Sequence, residues 1–206
     1  DAVKKTYGRI LILAGAGSGY RRVLTYKVAY LISEKKVEPD NILLVTFTNK
    51  AANEMKERIL KILDVARMTR GVPLSGTFHS VCAKILRADG KEIGISPKFV
   101  IYDDSDSSEL IKDIMKKMDL STKNYNPNAV LSTISGAKNQ MISALEYPQY
   151  AHGFWQETVS QIYLSYQKAL KENEALDFDD LIMETVRLFK SSQETLEKYQ
   201  NKWKYI

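Results

Sequence analysis

The amino-acid sequence predicts an α/β fold, a parallel sheet with crossover helices joined to an inserted helical stretch. Three observations lead there. Short apolar runs at 10–13, 41–47 and 74–78 alternate with amphipathic helical segments in a βαβαβ rhythm. A glycine-rich turn, Ala14-Gly15-Ala16-Gly17-Ser18-Gly19, links the first run to the first helix. From about residue 103 onward the periodicity is almost wholly helical.

The run 10–13 (ILIL) reads as a buried strand, and 23–32 has helical spacing. Strand, glycine-rich turn and helix are the layout of a phosphate-binding loop. Successive backbone N–H groups curl around an anion, with the helix N-terminus behind them. The candidate nucleotide-binding residues are Ala14, Gly15, Ala16, Gly17, Ser18, Gly19, Tyr20, Arg21 and Arg22. Such a loop continues with Lys, which reaches the β- and γ-phosphates, and then Ser or Thr, whose hydroxyl holds Mg²⁺. Here Tyr20 and Arg21 take those places. Tyrosine is uncharged at neutral pH and arginine does not ligate a metal, so the scaffold is present without its charge chemistry. Taken alone, the same glycines equally suit a strand-to-helix turn that holds nothing.

Next comes a charged turn, 34–40, stopped by Pro39, and then the strand NILLVTF at 41–47. Thr48 and Asn49 can cap a helix over 50–66, whose Ala51, Met55, Ile59, Ile62 and Leu63 form one stripe. A loop with Gly71 and Pro73 leads to a strand at 74–78 and a helix over 79–89. Residues 98–102 are extended, and Asp103, Asp104 and Asp106 mark a helix start. Helices are expected over 107–118, 126–145, 154–173, 178–189 and 193–201, with loops at 124–127 and 146–153. Asp177, Asp179 and Asp180 read as a cap for the helix beginning at Phe178. Lys112, Lys116, Lys117, Lys123, Lys138, Lys168 and Lys171 read as ordinary surface lysines.

Composition narrows the classes. With 44% hydrophobic and 27% charged residues the chain is an ordinary globular one, and no apolar span or N-terminal signal marks a membrane protein. The single cysteine, Cys82, excludes an internal disulfide and suits a reducing cytoplasm; amid Val81, Ile85 and Leu86 it reads as core. Two distant histidines give no zinc-ligand spacing, so no metal site is assigned. A net charge of +5 is compatible with a polyanionic partner. A start at Asp1 without methionine reads as a piece of something longer.

Four stretches now act together: the AGAGSG turn, TFTNKAANEM at 46–55, GTFHS at 76–80 and LDFDDL at 176–181. With FVIYDDSD and the ISGAKN run at 134–139, they resemble the N-terminal part of the UvrD/Rep/PcrA family of superfamily 1 DNA helicases. That resemblance implies a P-loop, RecA-like motor: 1–97 as the first part of domain 1A, 98–175 as the helical 1B insertion, and 176–206 as the return to 1A. It also implies ATP and Mg²⁺ as cofactors of a parent protein that moves 3′ to 5′ on single-stranded DNA and opens duplexes. By the same comparison the chain begins after the adenine-reading glutamine and stops at the strand leading to the DExx motif. The second motor domain with its arginine fingers is missing. No catalytic residue is therefore assigned, and with Tyr20 and Arg21 the chain alone is expected neither to bind ATP productively nor to hydrolyse it. The resemblance places single-stranded DNA on Phe47, Thr48, Asn49, Thr77, Phe78 and His79. Single/double-strand junctions are the implied partners, no membrane is, and the open edge of a truncated sheet invites self-association. The other reading is a non-catalytic DNA-binding or protein-interaction module that reuses the motor fold.

Overall fold

The computed structural model describes residues 2–13, 19–65 and 71–206. The chain divides into two compact units, Asp1–Val81 with Glu194–Ile206, and Cys82–Gln193.

In the first unit, helix α1 (Tyr20–Ser33) starts directly after Gly19. Gly19 sits in the left-handed region at φ 74°, where a side chain would be strained, and its carbonyl accepts from Arg22 N at 2.7 Å. Strands β1 (Leu43–Thr46) and β2 (Leu74–Thr77) pair in parallel, and helix α2 (Asn49–Val65) makes the crossover between them. The core is the one expected from periodicity. Val28, Leu31 and Ile32 of α1 pack with Met55, Ile59 and Leu63 of α2 and with Ile42 and Leu44. At the chain's end, Tyr205 lies along the other edge of β1, where its carbonyl accepts from Leu43 N at 2.8 Å and its N–H donates to Asn41 at 3.2 Å. Helix α8 (Gln193–Lys202) closes this unit, with Tyr199 stacked on Trp203 at 4.9 Å between ring centroids.

The strand expected at 10–13 is not formed. Leu11 and Leu13 are 83% and 87% exposed, and among the described residues no ladder partner flanks them. An apolar run becomes a strand only where a neighbouring strand pairs with its backbone; on the side of β1 away from β2, the bonds among the described residues are the two that Tyr205 makes with Asn41 and Leu43. The N-terminal segment is tied to α1 instead by Lys27, whose Nζ donates to the carbonyls of Ala2 and Lys5 at 3.4 and 2.5 Å.

The second unit takes in the later part of α3 (Phe78–Asp89), followed by β3 (Val100–Tyr102), α4 (Asp104–Lys117), α5 (Pro127–Asn139), α6 (Phe154–Glu172), β4 (Ala175–Asp177) and α7 (Phe178–Ser191). Its core joins Ile111, Ile114 and Met115 of α4 to Val130 and Ile134 of α5, and to Val159, Ile162, Tyr163, Tyr166 and Leu170 of α6. The acidic start at 103–106 is a capping box, with Asp103 Oδ1 accepting from Ser105 and Asp106 N–H at 2.8 and 2.9 Å. Burial pushes the half-buried Cys82 thiol up, as suits a core residue.

Three features of this unit depart from the sequence reading. β3 pairs in parallel with β4, a strand hidden in the approach to the last long helices. Helix α5 stops at Asn139 rather than 145, because Met141 enters the left-handed region at φ 61° and Gln140 and Ile142 both donate to the Ala137 carbonyl. Lys138, read as a surface lysine, is wholly buried.

Candidate nucleic-acid interface

The candidate interface residues lie at the C-terminal ends of β1 and β2, which the parallel register sets side by side with Thr46 opposite Thr77. At the end of β1 the chain must leave the sheet and enter α2 within two residues. Thr46 Oγ1 accepts from Thr48 N–H at 3.4 Å, and Thr48 Oγ1 caps α2 by accepting from Ala51 N–H at 3.2 Å. Phe47 is caught between these two turns and stands 90% exposed. The end of β2 repeats the device. Thr77 Oγ1 accepts from Ser80 N–H at 3.2 Å, and the Thr77 carbonyl accepts from Ser80 Oγ at 2.9 Å. Phe78 is thus thrown out as the first residue of α3 and is 47% exposed.

The two rings meet. Their centroids lie 5.8 Å apart at 46°, a tilted pair on the rim where two helices begin. Thr48 and Asn49 are exposed beside Phe47, and His79 is half-buried beside Phe78. The predicted set Phe47, Thr48, Asn49, Thr77, Phe78 and His79 is therefore gathered at one end of the β1–β2 pair, though Thr77 is largely buried and spends its hydroxyl on the α3 cap. Ligand binding beyond the carboxyl ends of parallel strands is the general habit of such sheets.

The residues expected from the sequence to meet a nucleotide are differently placed. Ala14, Gly15, Ala16, Gly17 and Ser18 lie outside the described residues. Gly19 is the left-handed N-cap, Tyr20 and Arg21 open α1, and the exposed Arg22 guanidinium lies 5.9 Å from the ring centre of Tyr26. Among the described residues no group of three or more His, Cys, Asp or Glu side chains is placed to hold a metal ion, and no helix is long and apolar enough to cross a membrane.

Comparison with known proteins decides the family. A family model of the UvrD/REP helicase N-terminal domain matches residues 1–206. The chain belongs to the UvrD/REP helicases. It is 48% identical over its whole length to the ATP-dependent DNA helicase PcrA of Bacillus subtilis (strain 168), of which it covers 28%. It is 47% identical to the proteins of the same name from Staphylococcus aureus (strain Mu50) and Staphylococcus epidermidis (strain RP62A), again covering 28% of each. The chain thus spans under a third of the length of these relatives.

In this UvrD/REP chain the GTFHS stretch has a steric logic of its own. A Cβ at Gly76 would fall 2.4 Å from Ser80 Oγ. Gly76→Ala is expected to turn the Ser80 hydroxyl off the Thr77 carbonyl and to cost about 1 kcal/mol, the scale of one hydrogen bond. Urea unfolding should show a similar loss for Ser80→Ala alone and little further loss when Gly76→Ala is added to it. If the two losses add in the double variant, the clash is not with that hydroxyl.

Proposed function

We propose that this chain is the single-strand-binding N-terminal part of an ATP-dependent 3′-to-5′ DNA helicase. In the parent protein, ATP hydrolysis with Mg²⁺ would drive translocation on single-stranded DNA and the opening of duplexes at single/double-strand junctions in the cytoplasm. Residues 1–97 and 176–206 would be the two parts of motor domain 1A and 98–175 the 1B insertion. The chain alone does not hydrolyse ATP in this reading, since Tyr20 and Arg21 replace the lysine and the Mg²⁺-holding hydroxyl.

The observation that carries the reading is the exposed pair Phe47 and Phe78 at the ends of two parallel strands. A base has a π-face whatever its identity, so an exposed ring accepts any sequence and contributes about 1–3 kcal/mol per stacked base. Thr48, Asn49 and His79 beside the rings supply short polar groups for phosphate and sugar. Such a surface binds single strands without reading them.

The test is fluorescence anisotropy with a short labelled oligonucleotide at low salt. Phe47→Ala with His79→Ala is expected to weaken binding at least tenfold, equally for different base sequences, while far-ultraviolet circular dichroism stays unchanged. Unaltered affinity in the double variant would place DNA elsewhere on the chain.

A further inference from the structure

Two stretches of the family resemblance, ISGAKN and LDFDDL, play no part in the interface above, and the fold brings them together inside the second unit. Lys138, from ISGAKN, has a wholly buried side chain. Its Nζ lies 2.6 Å from Asp177 Oδ2 and 2.8 Å from Asp180 Oδ1, both from LDFDDL, whose side chains are 11% and 1% exposed. Asp177 Oδ2 also accepts from the Tyr166 hydroxyl at 3.0 Å, and Asp180 Oδ1 from Gln167 Nε2 at 3.2 Å. The two aspartates cap α7 reciprocally: Asp180 N–H donates to Asp177 Oδ1 at 2.8 Å, and Asp177 N–H to Asp180 Oδ2 at 3.3 Å. One cluster therefore pins α5, α6 and the start of α7.

Its charges do not balance. Two carboxylates face one ammonium, and the other polar neighbours, Tyr166 and Gln167, are neutral. A net charge held in a dry interior is expensive, and the simplest neutralising partner is a proton. A second geometric sign agrees. Gln167 Oε1 is buried without a hydrogen-bond partner, although the amide reaches Asp180. A protonated Asp180 would turn this contact around, its O–H donating to the Gln167 oxygen after the amide rotates. A cavity of about 420 Å³, lined among others by Tyr166, Asp177 and Ser107, adjoins the Asp177 side of the cluster.

We propose that Lys138, Asp177, Asp180 and Gln167 form a proton-operated lock between α5, α6 and α7, in which Asp180 takes up one proton as the medium is mildly acidified and the lock tightens. Lys138 is its positioning residue. The facing groups support the assignment. Burial pushes the Asp180 carboxyl up to about 6, outweighing the attraction of Lys138, and Asp177 pushes the same way. Tyr163 and Tyr166 stay protonated because burial and these carboxylates drive them further up. Burial also raises Glu184, which lies 2.9 Å from Arg187 Nε, and Asp179 adds its charge from the first turn of α7. The proposal does not depend on the DNA-binding reading.

The sign follows from linkage. A carboxyl raised in the folded state gives stability that is fully present below its unfolded value near 4 and is lost as pH rises through 6. Between pH 7.5 and 5.0 this one proton should favour the folded state by about tenfold in the unfolding equilibrium constant. The experiment is urea unfolding of the full chain at both pH values beside Asp180→Asn, with ¹³C NMR titration of the Asp180 carboxyl in the unsubstituted chain. The expected result is a carboxyl that titrates near 6 and a variant whose stability lacks that tenfold gain. A carboxyl that titrates near 4, or a variant with the same pH dependence as the parent chain, overturns the proposal. The NMR titration decides it even where the variant folds poorly.

Discussion

Lys138→Ala is expected to cost the chain about 3–5 kcal/mol of stability, the loss measured when one partner of a buried ion pair is removed. The ammonium is wholly buried between Asp177 and Asp180, so its removal leaves two carboxylates facing each other in the interior. Part of the loss would be packing, since the whole lysine side chain is buried, and Nζ also lies 5.2 and 6.0 Å from the ring centres of Tyr166 and Tyr163. Lys138→Met separates the two causes by keeping most of the volume without the charge. It should remain severely destabilised at pH 7.5 and much less so at pH 5, where Asp180 is protonated. Adding Asp177→Asn and Asp180→Asn to Lys138→Met should return most of the stability, because no charge is then left unpaired. Thermal melts that place Lys138→Met within 1 °C of the parent chain at pH 7.5 would show that the ion cluster holds nothing.

That lysine also shows where the sequence stops being legible. Val130, Ile134 and Ala137 define the buried stripe of α5, and Lys138 lies four residues after Ile134 and eight after Val130, on the same face. The spacing carried a signal, but residue type spoke against it, since lysine is almost never buried unpaired and its partners lie 39 and 42 positions away. Long-range pairing hid the β3–β4 ladder for the same reason: Val100 meets Ala175 across a separation that no local pattern encodes. Helices fared better because their information is local. Asp103 and Asp177 cap α4 and α7 where they were expected to, and the stripe of α2 packs as its periodicity indicates. The run at 10–13 failed on the opposite count. Its hydrophobicity is local, but a strand's existence depends on an edge elsewhere. At the interface, Phe47 and Phe78 were legible as strand-end aromatics, while their ring contact needed the β1–β2 register.

Tyr20→Lys with Arg21→Thr is expected to convert a chain that does not measurably bind a fluorescent ATP analogue into one that binds it in the presence of Mg²⁺. Gly19 holds the left-handed conformation that turns the chain into α1, and positions 20 and 21 are the first two residues of that helix, at its positive end. A lysine there adds a charge-assisted bond to the β- and γ-phosphates worth about 1.5–3 kcal/mol, which is about tenfold to more than a hundredfold in affinity. The threonine hydroxyl adds a Mg²⁺ ligand, so the gain should fall sharply on chelation. Each single substitution separates the two effects: Tyr20→Lys alone should bind with weak Mg²⁺ dependence, and Arg21→Thr alone should gain little. Equal binding by the parent chain would mean that the glycine-rich backbone suffices and that Tyr20 is no obstacle. Silence from the double variant would shift the cause from these two side chains to the parts of a helicase that lie beyond this chain, because a phosphate cradle without the opposing face of its cleft grips only one end of the nucleotide.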